Sequence, residues 1–194
     1  KSRGIAMDYQ LVSGDSHVDL SWLPGDLFVD NAPAHVKDKV PRIEERDGGP
    51  VWVAEGKVLG VANGAGHGFS PPVRGMRKRI DRMWDVGFYE GGPHPTTPDL
   101  RLNDMSLDGI DAEVLYGITG TGMRLKDHET IAATYYIYND WISEFCKSKP
   151  GRWYALACIP IHDPKLAAKE LKRAADLGPI RGADLIASEV TWPI

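Results

Sequence analysis

A carboxylate and an imidazole stand two residues apart at Asp15 and His17, where the run Leu11-Val12-Ser13-Gly14-Asp15-Ser16-His17 leaves an apolar stretch. In an extended strand residues i and i+2 project from one face, so the two side chains can aim at a common point. One carboxylate oxygen and one neutral ring nitrogen converging in this way form half of a site for a divalent ion such as Zn²⁺ or Mn²⁺. Asp-x-His also arises where a loop Asp caps a turn beside a surface His. The spacing therefore gains weight only from its setting. Gly14, just before the pair, leaves room for a second backbone or a sharp exit from the strand.

The elements that follow supply that setting. Residues 9–14 read as a first strand, left through the turn Trp22-Leu23-Pro24-Gly25. Residues 33–40 open on Pro and carry Val36 and Val40 four apart, which predicts a short helix stopped by Pro41. Residues 51–54 and 57–60 flank Glu55-Gly56 as a two-stranded hairpin. Residues 62–98 are rich in Gly and Pro and read as a lid-like excursion over the site, with His67 and His94 as candidate substrate contacts. A helix over 98–107, closed by Gly109, feeds a second strand over 112–116. Asp127 caps a long helix whose inner stripe is Ile131, Tyr135, Tyr138, Ile142 and Phe145. Residues 153–159 form a nearly continuous apolar strand, the pattern of a strand covered on both faces. Asp163-Pro164 starts a helix with Ala167, Leu171 and Ala174 facing inward, Gly178 ends it, and residues 180–186 make the fourth strand. Strands alternating with helices predict a parallel sheet joined by right-handed crossovers. Such folds bind ligands at the carboxyl ends of their strands, where Asp15 and His17 stand and where Tyr116, His162, Glu189 and Trp192 also fall.

Composition bounds the partners. The 194 residues are 42% apolar and 26% charged with a net charge of −4, a balance that suits one globular domain with a real core. The basic run Arg74-Gly75-Met76-Arg77-Lys78-Arg79 has no aromatic platform interleaved, which argues against nucleic acid. The glycine run at 63–68 lacks the Lys-Ser/Thr ending of a phosphate cradle. Cys146 and Cys158 have no ligand spacing and read as free thiols in a reducing compartment. No apolar run reaches the ~20 residues that span a bilayer, and residues 1–10 lack a signal-peptide core. A cytoplasmic protein without a membrane partner is the expectation.

Several stretches together are more specific than any one of them. They are Gly14-Asp15-Ser16-His17, the segment from Arg101-Leu102-Asn103-Asp104-Met105 through Asp108-Gly109-Ile110-Asp111 to Leu115-Tyr116, Tyr138-Asn139-Asp140-Trp141, Pro150-Gly151-Arg152-Trp153, and Ile159-Pro160-Ile161-His162-Asp163-Pro164. In these the sequence resembles the amidohydrolase-related metal-dependent hydrolases of the aminocarboxymuconate-semialdehyde decarboxylase type, a group that includes resorcylate-type decarboxylases. The resemblance implies an α/β fold, the N-terminal half of a (β/α)8 TIM barrel, as one domain over residues 1–194 with the hairpin and long loop inserted at about 48–97. It implies Asp15 and His17 as metal ligands, where many members have Glu-x-His or His-x-His, and Zn or Mn as the ion. The other ligands and the general acid/base are expected beyond Ile194, so no catalytic residue is assigned within the chain.

Physical reasoning points the same way. A closed barrel of this kind takes about 250 residues and eight strands. Four apolar strands leave two open edges, an association hazard. The missing half, or another chain supplying it, is the expected partner, in a homo-oligomer acting on a small-molecule substrate. The alternative is a small open sheet with helices on both faces. The expected activity is hydrolysis by metal-activated water. Non-oxidative decarboxylation of an aromatic or unsaturated carboxylic acid at the same metal is one alternative, and a non-catalytic binding or assembly module is another. Tyr116, His162, Trp192 and His67 are the expected substrate contacts; each has a plain counter-reading as a packing or surface residue.

Overall fold

The computed structural model describes residues 8–47, 49–62 and 91–186; the expectations attached to His67, the 74–79 basic run, Glu189 and Trp192 fall outside them. Among the described residues the strands are β1 (Val12–His17), β2 (Arg42–Arg46), β3 (Gly49–Ala54), β4 (Lys57–Val61), β5 (Ala112–Tyr116), β6 (Trp153–Cys158) and β7 (Ile180–Asp184). The helices are α1 (Leu27–Asn31), α2 (Pro98–Asp108), α3 (Thr119–Gly122), α4 (His128–Lys147) and α5 (Pro164–Asp176). Helix ends follow local chemistry. The Asp163 carboxylate accepts from Lys165 and Leu166 N–H to start α5, and Gly109 stops α2 in the left-handed region at φ 71°. Among the described residues no helix is long and apolar enough to cross a membrane.

The main sheet is parallel and ordered β1-β5-β6-β7, so strand order follows chain order without reversal. A doubly wound sheet reverses direction and carries helices on both faces. Here the order runs one way, and the long helices lie on one side, as successive crossovers of one hand require. Trp153 of β6 touches two of them, its Nε1 lying 3.0 Å from Met105 Sδ of α2 and its ring 4.7 Å from that of Phe145 of α4. Asn139 of α4 in turn bonds Glu170 of α5. Four consecutive strands with all the long helices outside are part of a (β/α)8 barrel, and the open sheet covered on both faces is set aside.

That one-sidedness corrects the reading of residues 153–159. Trp153, Ala155 and Ala157 are buried, whereas Tyr154 and Leu156 are only half-buried, because the face opposite the helices is only partly covered among the described residues. Leu171 is likewise exposed; Glu170, next to it, takes the inward place with Ala167 and Ala174. The carboxylate can be buried there because Arg173 Nε at 2.6 Å and Asn139 Nδ2 at 2.7 Å satisfy it.

Three further differences concern boundaries. The first strand runs Val12–His17 instead of 9–14, which places Asp15 and His17 inside it. Residues 33–40 form successive turns with no α-helix, although Val36 and Val40 are buried as a helical stripe would have them. Its turns are closed by Val36 N–H to the Pro33 carbonyl and Lys39 N–H to the Val36 carbonyl, and Pro41 stops it before a regular helix develops. The hairpin turns tightly at Glu55 (φ 49°) and Gly56 (φ 73°), but gains a third antiparallel strand, β2, along β3. This small sheet joins the same core through Trp52, Ala54 and Leu59. Its turn docks on the start of α4, where Glu55 accepts the N–H groups of Lys126 and Asp127.

Asp127 caps α4 through Glu129 and Thr130 N–H and takes a bond from Lys39 Nζ at 2.7 Å. The Lys39 ammonium first, then the Thr130 N–H, hold its carboxyl down to about 2. A folded value below the unfolded ~3.9 stabilises the fold above that pH and loses the contribution as pH falls toward 2. The urea midpoint of the protein is expected to drop more steeply between about pH 4 and 2 than that of Asp127→Asn, which keeps an acceptor but cannot titrate. Equal slopes would refute the assignment.

Cys146 and Cys158 are free and buried, as expected. Burial pushes each thiol up to about 12. Neither is expected to react with a disulfide reagent near pH 8 until the protein unfolds. A thiol that titrates at the native rate of an exposed cysteine would contradict this packing.

Candidate functional site

β1 pairs with β5 as Val12–Ala112, Ser13–Glu113, Ser16–Leu115 and His17–Tyr116. Three steps along β1 therefore match two along β5, a β-bulge at Gly14-Asp15. The extra residue resets the alternation. Ser13 and Ser16, which a regular strand would send to opposite faces, lie on one side with their hydroxyls 2.8 Å apart. Asp15 and His17 meet each other, Oδ1 3.3 Å from Nε2. The close backbone approach anticipated at Gly14 is absent among the described residues, since a Cβ there would meet nothing within 4 Å. The glycine sits instead where the strand bulges.

The pair is open to incoming groups, with side-chain exposures of 87% for Asp15 and 53% for His17. Tyr116, at the end of β5, stacks on the His17 ring at 5.5 Å and fixes its plane. From the helix side a buried polar system holds the strand beneath. Glu113 accepts from Ser16 Oγ at 2.8 Å, Arg101 Nε at 2.6 Å and Trp153 Nε1 at 3.0 Å. Arg101 Nη1 donates to the His17 carbonyl at 3.2 Å and to the Pro95 carbonyl at 3.0 Å. One guanidinium thus ties α2 to the backbone of the candidate ligand.

Asp15 and His17 fit a divalent ion in donor type: one hard oxygen and one imidazole nitrogen, converging and accessible. They do not complete a shell. Among the described residues no group of three or more His, Cys, Asp or Glu side chains is arranged to hold a metal.

The other anticipated residues divide. Tyr116 joins the pair. His162 does not; it stacks on His128 at 4.2 Å, beside a different cavity. Burial first, then the His128 ring, holds His162 below the usual imidazole range. His94 pairs with Asp104 through Nδ1 at 2.8 Å. Sequence reading missed Arg101 and Glu113, although a carboxylate inside the apolar run Ala112-Glu113-Val114-Leu115 was the available signal. It also missed Asp184, at the carboxyl end of β7, which accepts from Thr119 Oγ1 at 2.6 Å.

No family model matches the chain. A gamma-resorcylate decarboxylase from Rhizobium radiobacter is 32% identical over 81 residues, 41% of this chain and 25% of that protein. The chain thus spans about a quarter of the length of the curated relatives it matches. Among solved structures, an amidohydrolase from Mycobacterium avium subsp. paratuberculosis superposes with a TM-score of 0.65 at 19% identity, covering 89% of this chain and 48% of its own. A dihydroxybenzoic acid decarboxylase from Polaromonas, solved with manganese and an inhibitor, gives a TM-score of 0.47 at 17% identity over 89% of this chain and 37% of its own. The chain is thus similar in fold over 89% of its length to that amidohydrolase and in sequence over 81 residues to gamma-resorcylate decarboxylase, and its strands build part of a (β/α)8 barrel.

Proposed function

We propose that the protein is a metal-dependent enzyme in which Asp15 and His17 supply two ligands to a single divalent ion, Zn or Mn, and that its reaction is loss of carbon dioxide from a small aromatic or unsaturated carboxylic acid. The observation that carries the metal site is the 3.3 Å approach of Asp15 Oδ1 to His17 Nε2 at the carboxyl end of β1. Decarboxylation draws its support from the stretch similar to gamma-resorcylate decarboxylase. When bound, a divalent ion polarises a substrate oxygen and concentrates positive charge where a carboxylate would sit. Asp15 contributes a charged oxygen and His17 a neutral ring nitrogen. Tyr116 keeps the His17 ring in its plane, and Arg101 keeps its carbonyl in place. The half-buried side chains of Val114 and Tyr116, on the strand next to the pair, give an aromatic body an apolar wall. The rest of the barrel, from this chain or another, supplies the remaining ligands and the proton donor. Hydrolysis of an ester or amide at the same donors is the second reading.

Metal analysis and product analysis test the two halves of this reading. About one equivalent of Zn or Mn is expected in the intact protein and background metal in His17→Ala. Carbon dioxide released from a dihydroxybenzoate, with no ester or amide cleavage, supports decarboxylation; the reverse pattern supports hydrolysis. Full metal retention in both Asp15→Ala and His17→Ala would overturn the ligand assignment.

A further inference from the structure

A cavity of about 330 Å³ lies between the segment after β5, the first half of α4 and the segment after β6. Neither Asp15 nor His17 lines it. Its volume is within the ~300–1,000 Å³ common to small-molecule sites. The walls are apolar, from Leu125, Ile131, Ile159, Ile161 and Ile186. Its polar lining is Lys126, the stacked rings of His128 and His162, and the hydroxyl residues Thr119 and Tyr135, with no carboxylate among the described lining residues.

The neighbouring acids each hold another partner, Asp184 on the lining residue Thr119 and Asp163 beside the His162 ring. Asp127 takes Lys39 and caps α4. Asp163 caps α5, and Glu55 accepts backbone N–H groups at 126 and 127. Glu129 faces His35 at 3.6 Å, and Asp184 accepts from Thr119. Among the described residues no carboxylate pairs with the Lys126 ammonium. An apolar chamber whose rim carries an ammonium in no ion pair with a described carboxylate, together with two imidazole rings, complements one chemistry, an apolar body ending in a single negative charge.

We infer that this cavity binds a small carboxylic acid with a ring or branched apolar body, seated against the isoleucine wall with its carboxylate toward Lys126, His128 and His162. The site is separate from the metal pair and does not depend on metal. The stacked imidazoles sit at the rim, where either ring can donate one N–H to a carboxylate oxygen, while the ammonium supplies the charge.

NMR of the full chain in chelator tests this, with benzoate as the probe and benzamide as its uncharged counterpart. Benzoate is expected to shift the ring resonances of His128 and His162 saturably. Benzamide is expected to bind roughly tenfold more weakly, as is benzoate to Lys126→Met, a single charge-assisted contact being of that order. His162→Phe, which keeps a ring in the stack, is expected to weaken benzoate as well. Binding that persists in Asp15→Asn/His17→Gln supports a separate site whatever the fate of the metal reading. No saturable shift, equal affinity for benzamide, or loss of binding in that double variant overturns the inference.

Discussion

Arg101→Met is expected to cost about 3–5 kcal/mol of stability, the penalty for removing one partner of a buried ion pair. Both side chains are only 9% exposed. With the guanidinium gone, the Glu113 carboxylate remains inside the sheet–helix interface with, among the described residues, the Ser16 hydroxyl and the Trp153 indole N–H to satisfy it. The larger part of the cost is the orphaned charge. Pairing the change with Glu113→Leu is therefore expected to recover much of the loss, since a buried pair replaced by apolar groups is often near neutral. Urea midpoints of the single and double variants decide between the two causes. A double variant as unstable as Arg101→Met would assign the cost to packing instead. The same arginine steadies the His17 carbonyl, so Arg101→Lys, which keeps charge but not the fork, is expected to weaken metal binding by ~10–100-fold, the usual effect of losing an outer partner of a ligand. Unchanged metal affinity in Arg101→Lys would separate the fold role from the site role.

Asn139→Ala is expected to destabilise by about 3 kcal/mol, from orphaned groups at the carboxyl end of β6, each worth about 1–3 kcal/mol. Asn139 is fully buried and uses both ends of its amide. Oδ1 accepts the Cys158 N–H at 2.9 Å, while Nδ2 donates to the Cys158 carbonyl at 2.9 Å and to Glu170 Oε1 at 2.7 Å. No aliphatic residue can replace that clamp, and Asn139→Asp would set a second carboxylate against Glu170, itself 1% exposed. Chemical unfolding gives the magnitude. Hydrogen exchange at the Cys158 amide gives the cause, because it should quicken selectively. A loss under about 1 kcal/mol with unchanged exchange would mean that something else satisfies the strand end.

Local signals were legible residue by residue. The cap at Asp127, the Asp163-Pro164 start and the stop at Gly109 each act within one helical turn, so α2, α4 and α5 could be placed from the chain alone. The strand cores at 112–116 and 153–158 were equally plain. β2 was not. Arg42-Ile43-Glu44-Glu45-Arg46 has no apolar alternation, and it is a strand because it lies at a sheet edge, where Glu44 pairs with Arg42 and Arg46 at 2.7 and 2.5 Å. Leu171 and Glu170 exchanged places for a similar reason: hydropathy favours the leucine inside, but Arg173 and Asn139 approach from other turns and make burial of the glutamate possible.

At the site the division is sharper. The sequence by itself determined which groups were present near the end of the first strand, an acid and an imidazole two apart, and that the surrounding pattern alternates strands with helices. Only the tertiary structure decided how they face. Strict alternation would put Ser13 on the same face as Asp15 and His17. The bulge, visible only when β1 is laid along β5, puts Ser13 with Ser16 and leaves the acid and the ring together. Register belongs to a pair of strands, and buried charge to the partners that surround it. Neither the bulge nor the Arg101–Glu113 brace is a property of any one stretch of chain, because each needs residues about a hundred positions or a dozen apart to meet before it has an energy at all.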